Sequence, residues 1–196
     1  MTHQNQTLFV TVGTTRFDAL ITHISSESVL ETIATQTGFT HLILQHGHSP
    51  LHPTLLSLPS TQTTLFETEA TSITYSPTFT VTVFPFTNNI NPFLSSANLV
   101  LSHAGTGSIL ESLRLLKPLI AVPNPILMHN HQLEIAQKMH SEGVLVCCES
   151  VTDIESILVD WKRLFKDVDP EKWGRGRAEG EGSRKVMRVV LEEAFS

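Results

Sequence analysis

The stretch Asn98 to Glu111, NLVLSHAGTGSILE, constrains what this chain can fold into more than any other. Leu99-Val100-Leu101 is a short apolar run, and His103-Ala104-Gly105-Thr106-Gly107-Ser108 interrupts it. Ile109, Leu110, Leu113 and Leu116 then fall at helical spacing. The pattern predicts a buried strand, a tight glycine turn and a helix. Glycines let a backbone come close to a ligand, and the first N–H groups of a helix have no intrahelical partner. Those donors and the positive end of the helix dipole favour a phosphate. Glu111, about one turn further in, is placed to accept hydrogen bonds from a ribose. The same spacing also suits a purely structural joint between strand and helix, and alone it leaves both uses open.

A second unit of this kind opens the chain. Leu8-Phe9-Val10-Thr11-Val12 ends at Gly13-Thr14-Thr15, and Phe17, Leu20, Ile21, Ile24, Val29, Leu30 and Ile33 follow at helical spacing. Two such units predict an α/β fold, a mainly parallel sheet with helices on both faces. Further strands are expected at His41–His46, Leu119–Val122 and Val144–Val146, with a loop or short irregular helix over residues 49–60, which hold three prolines. Ile73, Tyr75, Phe79, Val81 and Val83 alternate with Thr and Ser, and Ser76-Pro77-Thr78 can turn that stretch into a hairpin, so some antiparallel pairing is expected. Asn88–Phe93 is expected to form a short helical turn. His129-Asn130-His131-Gln132 opens a helix that Gly143 closes. Thr152-Asp153-Ile154-Glu155 fits a capping box ahead of the stripe Ile154, Ile157, Leu158, Trp161, Leu164 and Phe165. Residues 1–166 thus read as one domain, 167–183 as a linker rich in glycine and charge, and 184–196 as a C-terminal helix that docks on its own domain or on a partner.

Composition removes several classes of function. Thirteen basic against 19 acidic residues give a net charge of −6, which argues against a nucleic-acid surface. Cys147 and Cys148 are adjacent and alone, so they make neither a disulfide framework nor a thiolate metal site, and are expected to pack as small apolar side chains. Among ten histidines, His46/His48 and His129/His131 have ligand-like spacing but no carboxylate or thiol at a partnering distance, so no metal site is expected. His103 and His131 read instead as hydrogen-bond donors to a sugar or phosphate. Ser102 and Ser108 lack a nucleophile-elbow context. The N-terminus has no basic-then-apolar leader, and no stretch reaches the ~18 apolar residues of a membrane span, so a cytosolic chain is expected. Neither glycine turn matches G-x-G-x-x-G or the Walker pattern, which disfavours a nicotinamide oxidoreductase. In a parallel sheet the turns Gly13–Thr15, Phe84–Thr87, His103–Glu111 and His129–Gln132 would all face one cleft at the carboxyl edge.

The segments FVTVGTTRFDALI and SHAGTGSILESLRLLKPLIAVPNPILMHNHQLEIAQKM resemble the small subunits of the eukaryotic UDP-N-acetylglucosamine transferases that add the second GlcNAc to dolichol-diphosphate-GlcNAc. These are relatives of the bacterial peptidoglycan UDP-GlcNAc transferase. The resemblance runs from Leu8 to about Cys148. It implies a Rossmann-like domain equivalent to the C-terminal, donor-binding half of a GT-B glycosyltransferase. By the same resemblance, Gly13, Thr14 and Thr15 lie near the diphosphate, and Phe86 and Thr87 flank the uracil. Gly105, Thr106 and Gly107 form the second phosphate turn, and Glu111 takes the ribose; His103 and Ser108, in the same stretch, are further candidates for substrate binding. His131 and Gln132 contact GlcNAc hydroxyls, although the bacterial pattern has Gln at the position of His131. The family implies inverting, β-1,4 transfer with no metal or cofactor, UDP-GlcNAc being the donor substrate. The general base and the surface for the dolichol-linked acceptor lie in the other half, so a membrane-anchored partner subunit is implied, at the cytosolic face of the endoplasmic reticulum in N-glycosylation. A nucleotide-sugar-binding regulatory module without catalysis would use the same turns.

Overall fold

The computed structural model describes residues 5–126, 131–166 and 168. Its strands are β1 (Thr7–Thr11), β2 (His41–Gln45), β3 (Ser60–Leu65), β4 (Thr68–Ser76), β5 (Phe79–Phe84), β6 (Leu99–Ser102), β7 (Leu119–Ala121) and β8 (Val146–Cys147). They form one 8-stranded sheet in the order β3-β4-β5-β2-β1-β6-β7-β8. From β5 to β8 every neighbouring pair is parallel, and the β3–β4 and β4–β5 pairs are antiparallel. From β1 the chain steps outward to β2 and β5, then returns to place β6 on the other side of β1. Strand order therefore reverses between β1 and β6, and the loops that follow these two strands part there.

Burial follows from the alternation of each strand. Leu8 and Val10 face one layer with Leu42, Val81 and Leu101, where α1 (Asp18–Ile24), α2 (Glu27–Gln36) and α7 (Ile154–Leu164) contribute Leu20, Leu30 and Leu158. Phe9 and Val100 face the other layer, filled by Phe93 of α4 (Asn91–Ser96), Ile109 of α5 (Thr106–Arg114) and Met139 of α6 (His131–Ser141). All five β1 residues are buried, as a central parallel strand covered on both faces requires. Phe39 stacks on Trp161 at 5.2 Å and fixes α7 against the sheet, while the Lys117 ammonium caps α4 by donating to the carbonyls of Ser95 and Ala97.

Several expectations change in detail. The single helix predicted after Thr15 is two helices, because Ser25 leaves α1, donates its hydroxyl to the Ile21 carbonyl and is followed by Ser26 in extended conformation. Of the loop or short irregular helix expected over residues 49–60, the structure has the one-turn helix α3 (Pro53–Leu56), and β3 begins at Ser60. β3 was hidden because its outer-edge residues are almost all exposed, so no apolar alternation marks it. The hairpin at Ser76–Thr78 forms, joining β4 to β5. The capping box does not: Val151–Asp153 is a 3₁₀ turn, and Asp153 precedes α7 without a side-chain cap. α5 stops at Arg114 instead of reaching Leu116, whose φ of +53° ends it. Gly143 closes α6 with φ +70°. Cys147 is half-buried and Cys148 buried, both as free thiols, and burial pushes them up to about 11 and about 12. The linker and the C-terminal helix expected beyond residue 166 lie outside the described residues, apart from Val168.

Candidate functional site

The two glycine turns meet. Gly13 follows β1 with φ +56°, and a Cβ there would stand 3.2 Å from Cε1 of His103, the residue that follows β6. The His103 backbone N–H donates to the Thr11 carbonyl at 3.2 Å, which carries the strand pairing one step past the sheet and holds both turns at the switch point. His103 is 6% exposed, and its Nδ1 finds no hydrogen-bond partner among the described residues. Burial lowers its pKa, with the Thr11 carbonyl opposing.

Past His103, Ala104 takes φ +60° and aims the chain into α5. Gly105 is the N-cap and offers no side-chain cap. The backbone N–H groups of Thr106, Gly107 and Ser108 make no hydrogen bond among the described residues, and nothing lies within 4 Å of where a Gly107 Cβ would be. These are the open donors at a helix start that suit an anion. Glu111 sits about one turn along α5, half-buried, its carboxylate without a partner among the described residues.

The first turn is arranged differently from its motif. The Gly13 N–H is taken inside the protein, by Gln45 Oε1 at 3.0 Å and Thr11 Oγ1 at 3.1 Å, and Thr15 N donates to the Val12 carbonyl. Thr14 is exposed, and its amide and hydroxyl make no hydrogen bond among the described residues. The N-terminus of α1 is closed from another loop, since Phe17 N donates to Ser49 Oγ at 2.8 Å, and Asp18 forms an exposed bidentate pair with Arg16 that holds its carboxyl below the usual range.

Phe86 and Thr87 lie at the same edge, after β5. Phe86 is partly exposed with its ring edge-on to His48 at 4.7 Å, and the Thr87 hydroxyl bridges to Thr68 at 2.8 Å and to Asn89. The β3–β4 hairpin overhangs this point. Phe66, Glu67, Phe86, Thr87 and Asn88 help line a cleft of about 310 Å³. A larger cavity of about 510 Å³ lies between α3 and the hairpin, also reaching Phe86. At the opposite flank Gln132, in the first turn of α6, accepts from the Asn124 N–H at 3.3 Å. Asn124 is 4% exposed and donates its carboxamide to the Arg16 carbonyl at 3.1 Å. The residues expected at the site therefore line one rim, from Thr87 through Thr14 and His103 to Gln132. The backbone of His131 opens α6, and His129 lies outside the described residues. Among the described residues no group of three or more His, Cys, Asp and Glu side chains could hold a metal.

The motifs did not expose Gln45 and Asn124, the two buried carboxamides that hold this rim. The available signals were a polar residue ending an otherwise apolar strand just before Gly47, and an asparagine set between Pro123 and Pro125 after a buried strand.

This strand order, with two strand–turn–helix units meeting where it reverses, defines a Rossmann-like domain of the kind that forms half of a GT-B glycosyltransferase. The chain belongs to the family of the glycosyltransferase family 28 C-terminal domain, which matches residues 7–163. It is 32% identical over 193 residues to the UDP-N-acetylglucosamine transferase subunit ALG13 of Yarrowia lipolytica, covering 96% of this chain and 84% of that protein. The Mus musculus protein of the same name is 40% identical over 140 residues, a match spanning 71% of this chain and 10% of the mouse protein. The solution NMR structure of ALG13 superimposes with a TM-score of 0.67 at 26% identity, covering 98% of both chains. MurG of Acinetobacter baumannii, at 16% identity, shares the fold with a TM-score of 0.57 over 96% of this chain and 50% of its own.

Proposed function

We propose that this chain is the donor-binding subunit of a UDP-GlcNAc transferase that adds the second GlcNAc to GlcNAc-diphosphate-dolichol with inversion. The observation that carries the reading is the convergence at the β1–β6 switch point. The uncapped start of α5 and the exposed Thr14 follow the two strands that meet there, and Glu111, whose carboxylate has no partner among the described residues, lies about one turn along α5. Thr14, Thr15 and the α5 amides would receive the diphosphate, and Glu111 the ribose hydroxyls. The backbone of Thr87 would meet the uracil beside Phe86, and Gln132, with His131, the sugar. In transfer, the same amides would stabilise charge that develops on the departing UDP.

A general base and an acceptor surface complete the reaction, and we place both on a membrane-anchored partner. The name shared by the relatives, a transferase subunit, supports a second subunit. Among the described residues no helix is long and apolar enough to cross a membrane, so a partner would bring this chain to the cytosolic face of the endoplasmic reticulum.

Calorimetry with UDP-GlcNAc, UDP-glucose and NAD tests the donor site. The chain is expected to bind the two uridine nucleotides and not NAD, and Glu111→Ala to lose about tenfold or more in UDP affinity at unchanged Tm. Equal binding by Glu111→Ala removes the ribose role. Transfer by the reconstituted pair, absent from either chain alone, separates a catalytic subunit from a regulatory module.

A further inference from the structure

Gln45 is 3% exposed and stands at the end of β2, its side chain between the first glycine turn and the segment leading to Phe86. Its Oε1 accepts from the Gly13 N–H at 3.0 Å and from the Thr11 hydroxyl, and its Nε2 donates to the Gly13 carbonyl at 2.6 Å and to the Pro85 carbonyl at 2.9 Å. A carboxamide has two donor hydrogens and two acceptor lone pairs, and all four are used. The reverse orientation would set an NH₂ against the Gly13 N–H and an oxygen against two carbonyls, so the network admits one assignment. Around it, Gly47 N also donates to the Pro85 carbonyl at 3.1 Å, and Val12 N to the Gln45 carbonyl at 3.3 Å. Gly47 has φ +58°, and a Cβ on it would meet Val12 Cγ2 at 3.3 Å and the carbonyls of Gly13 and Thr15 at 3.5 Å. The ends of β1, β2 and β5 are thereby locked to one another through one amide.

We infer that Gln45 is a positioning residue. It takes up both backbone groups of Gly13 so that the turn presents Thr14, and it fixes the distance between that turn and the Phe86–Thr87 segment. This rests on the donor-site reading above, in which the turn meets the diphosphate and the segment meets the base. A nucleotide spans the two, and two preset half-sites at a fixed separation bind the joined ligand far better than either fragment. Removing the lock therefore costs the joined ligand and spares the fragment.

The test uses the full chain, with UDP and uridine as probes. In the parent, amide exchange measured by NMR is expected to show Gly13 N–H protected with and without UDP. Thr14 N–H is expected to become protected only when UDP is present. Gln45→Glu keeps the shape of the side chain but cannot donate to the Gly13 and Pro85 carbonyls. It is expected to weaken UDP by about tenfold or more while uridine changes by no more than about twofold. A merely structural role would weaken both probes by the same factor. That result, or unchanged UDP affinity in a folded Gln45→Glu, overturns the inference and leaves the donor site standing. Where Gln45→Glu does not fold, the parent decides: an unprotected Gly13 N–H, or one released by UDP, overturns the inference, and persistent protection supports it. A parent chain that binds no UDP overturns the donor-site reading, and this inference with it.

Discussion

The imidazole of His103 lies so close to the α-carbon of Gly105 that a Cβ at position 105 would stand 2.3 Å from Nε2 and 2.6 Å from Cε1. Gly105 has φ −69° and ψ 134°, angles open to any residue, so it is glycine because of the ring packed against it. The backbone reversal belongs to its neighbour Ala104. A ring wedged between Gly13 and Gly105 makes the two turns one structure.

The two glycines of the second turn are thus expected to respond oppositely to alanine. Gly105→Ala must displace His103 from a buried position and is expected to lose about 1–3 kcal/mol. Gly107→Ala meets nothing within 4 Å and adds a helix former to α5. It is expected to gain roughly 0.5–1 kcal/mol. Chemical denaturation of both variants checks the pair, and a common sign would be inconsistent with the packing.

Two bulky positions carry left-handed backbone at the rim. Phe66 and Glu67, φ +49° and +63°, make the two-residue turn joining β3 and β4, where Asn-Gly is the usual solution. Phe66 is held there by an edge contact with Phe93 at 5.1 Å, whereas the Glu67 side chain is exposed. Glu67→Gly is therefore expected to raise stability by about 1 kcal/mol, read as an increase in Tm. Phe66→Gly, which also forfeits the aromatic contact, is expected to gain less or to lose.

Stability is expected to rise with pH through the histidine range. His41, His46 and His103 all have pKa values lowered by burial, with a Ser49 carbonyl opposing at His46 and the Thr11 carbonyl at His103. The unfolded chain then binds more protons than the folded one below about pH 6.5, so unfolding is favoured as the pH falls. The contribution is fully present above the unfolded value and is lost as pH drops toward the folded ones. Tm measured from pH 7.5 down to 5 is expected to fall, and His103→Gln to flatten the slope. Asp18 and Asp160, lowered by their arginine partners, act in the same direction only in the carboxylate range.

Asn124 bridges three parts of the rim, through the Arg16 carbonyl, the Ile126 N–H and, from its own backbone, Gln132. Asn124→Leu leaves the part-buried Arg16 carbonyl and Ile126 N–H without their partner and is expected to cost about 1–2 kcal/mol. Asn124→Asp keeps the acceptor for Ile126 and loses only the donor, so its loss is expected to be smaller at low pH, where the carboxyl can donate, than at neutral pH. Denaturation at pH 4.5 and pH 7.5 distinguishes the two variants.

The chain carried its parallel core on its surface pattern. Runs such as Leu99-Val100-Leu101, each followed by glycine and a helical stripe, leave few other ways to bury apolar area, and the alternation from Ile73 to Val83 marked the antiparallel edge. The long H-A-G-T-G-S…E motif and its resemblance pointed to the family, which the match over residues 7–163 shows. Only the tertiary structure decided what each rim residue does. The Gly13 amide is spent on Gln45, the turning angle sits on Ala104, and Gly105 makes room for His103. The first of these joins residues far apart in the chain, Gln45 and Gly13 at |i−j| = 32, and the ring that Gly105 accommodates also packs on Gly13, which follows a different strand. Local periodicity reports which face of an element is buried. It carries no information about which distant side chain will use a given backbone group, because strand order sets that pairing.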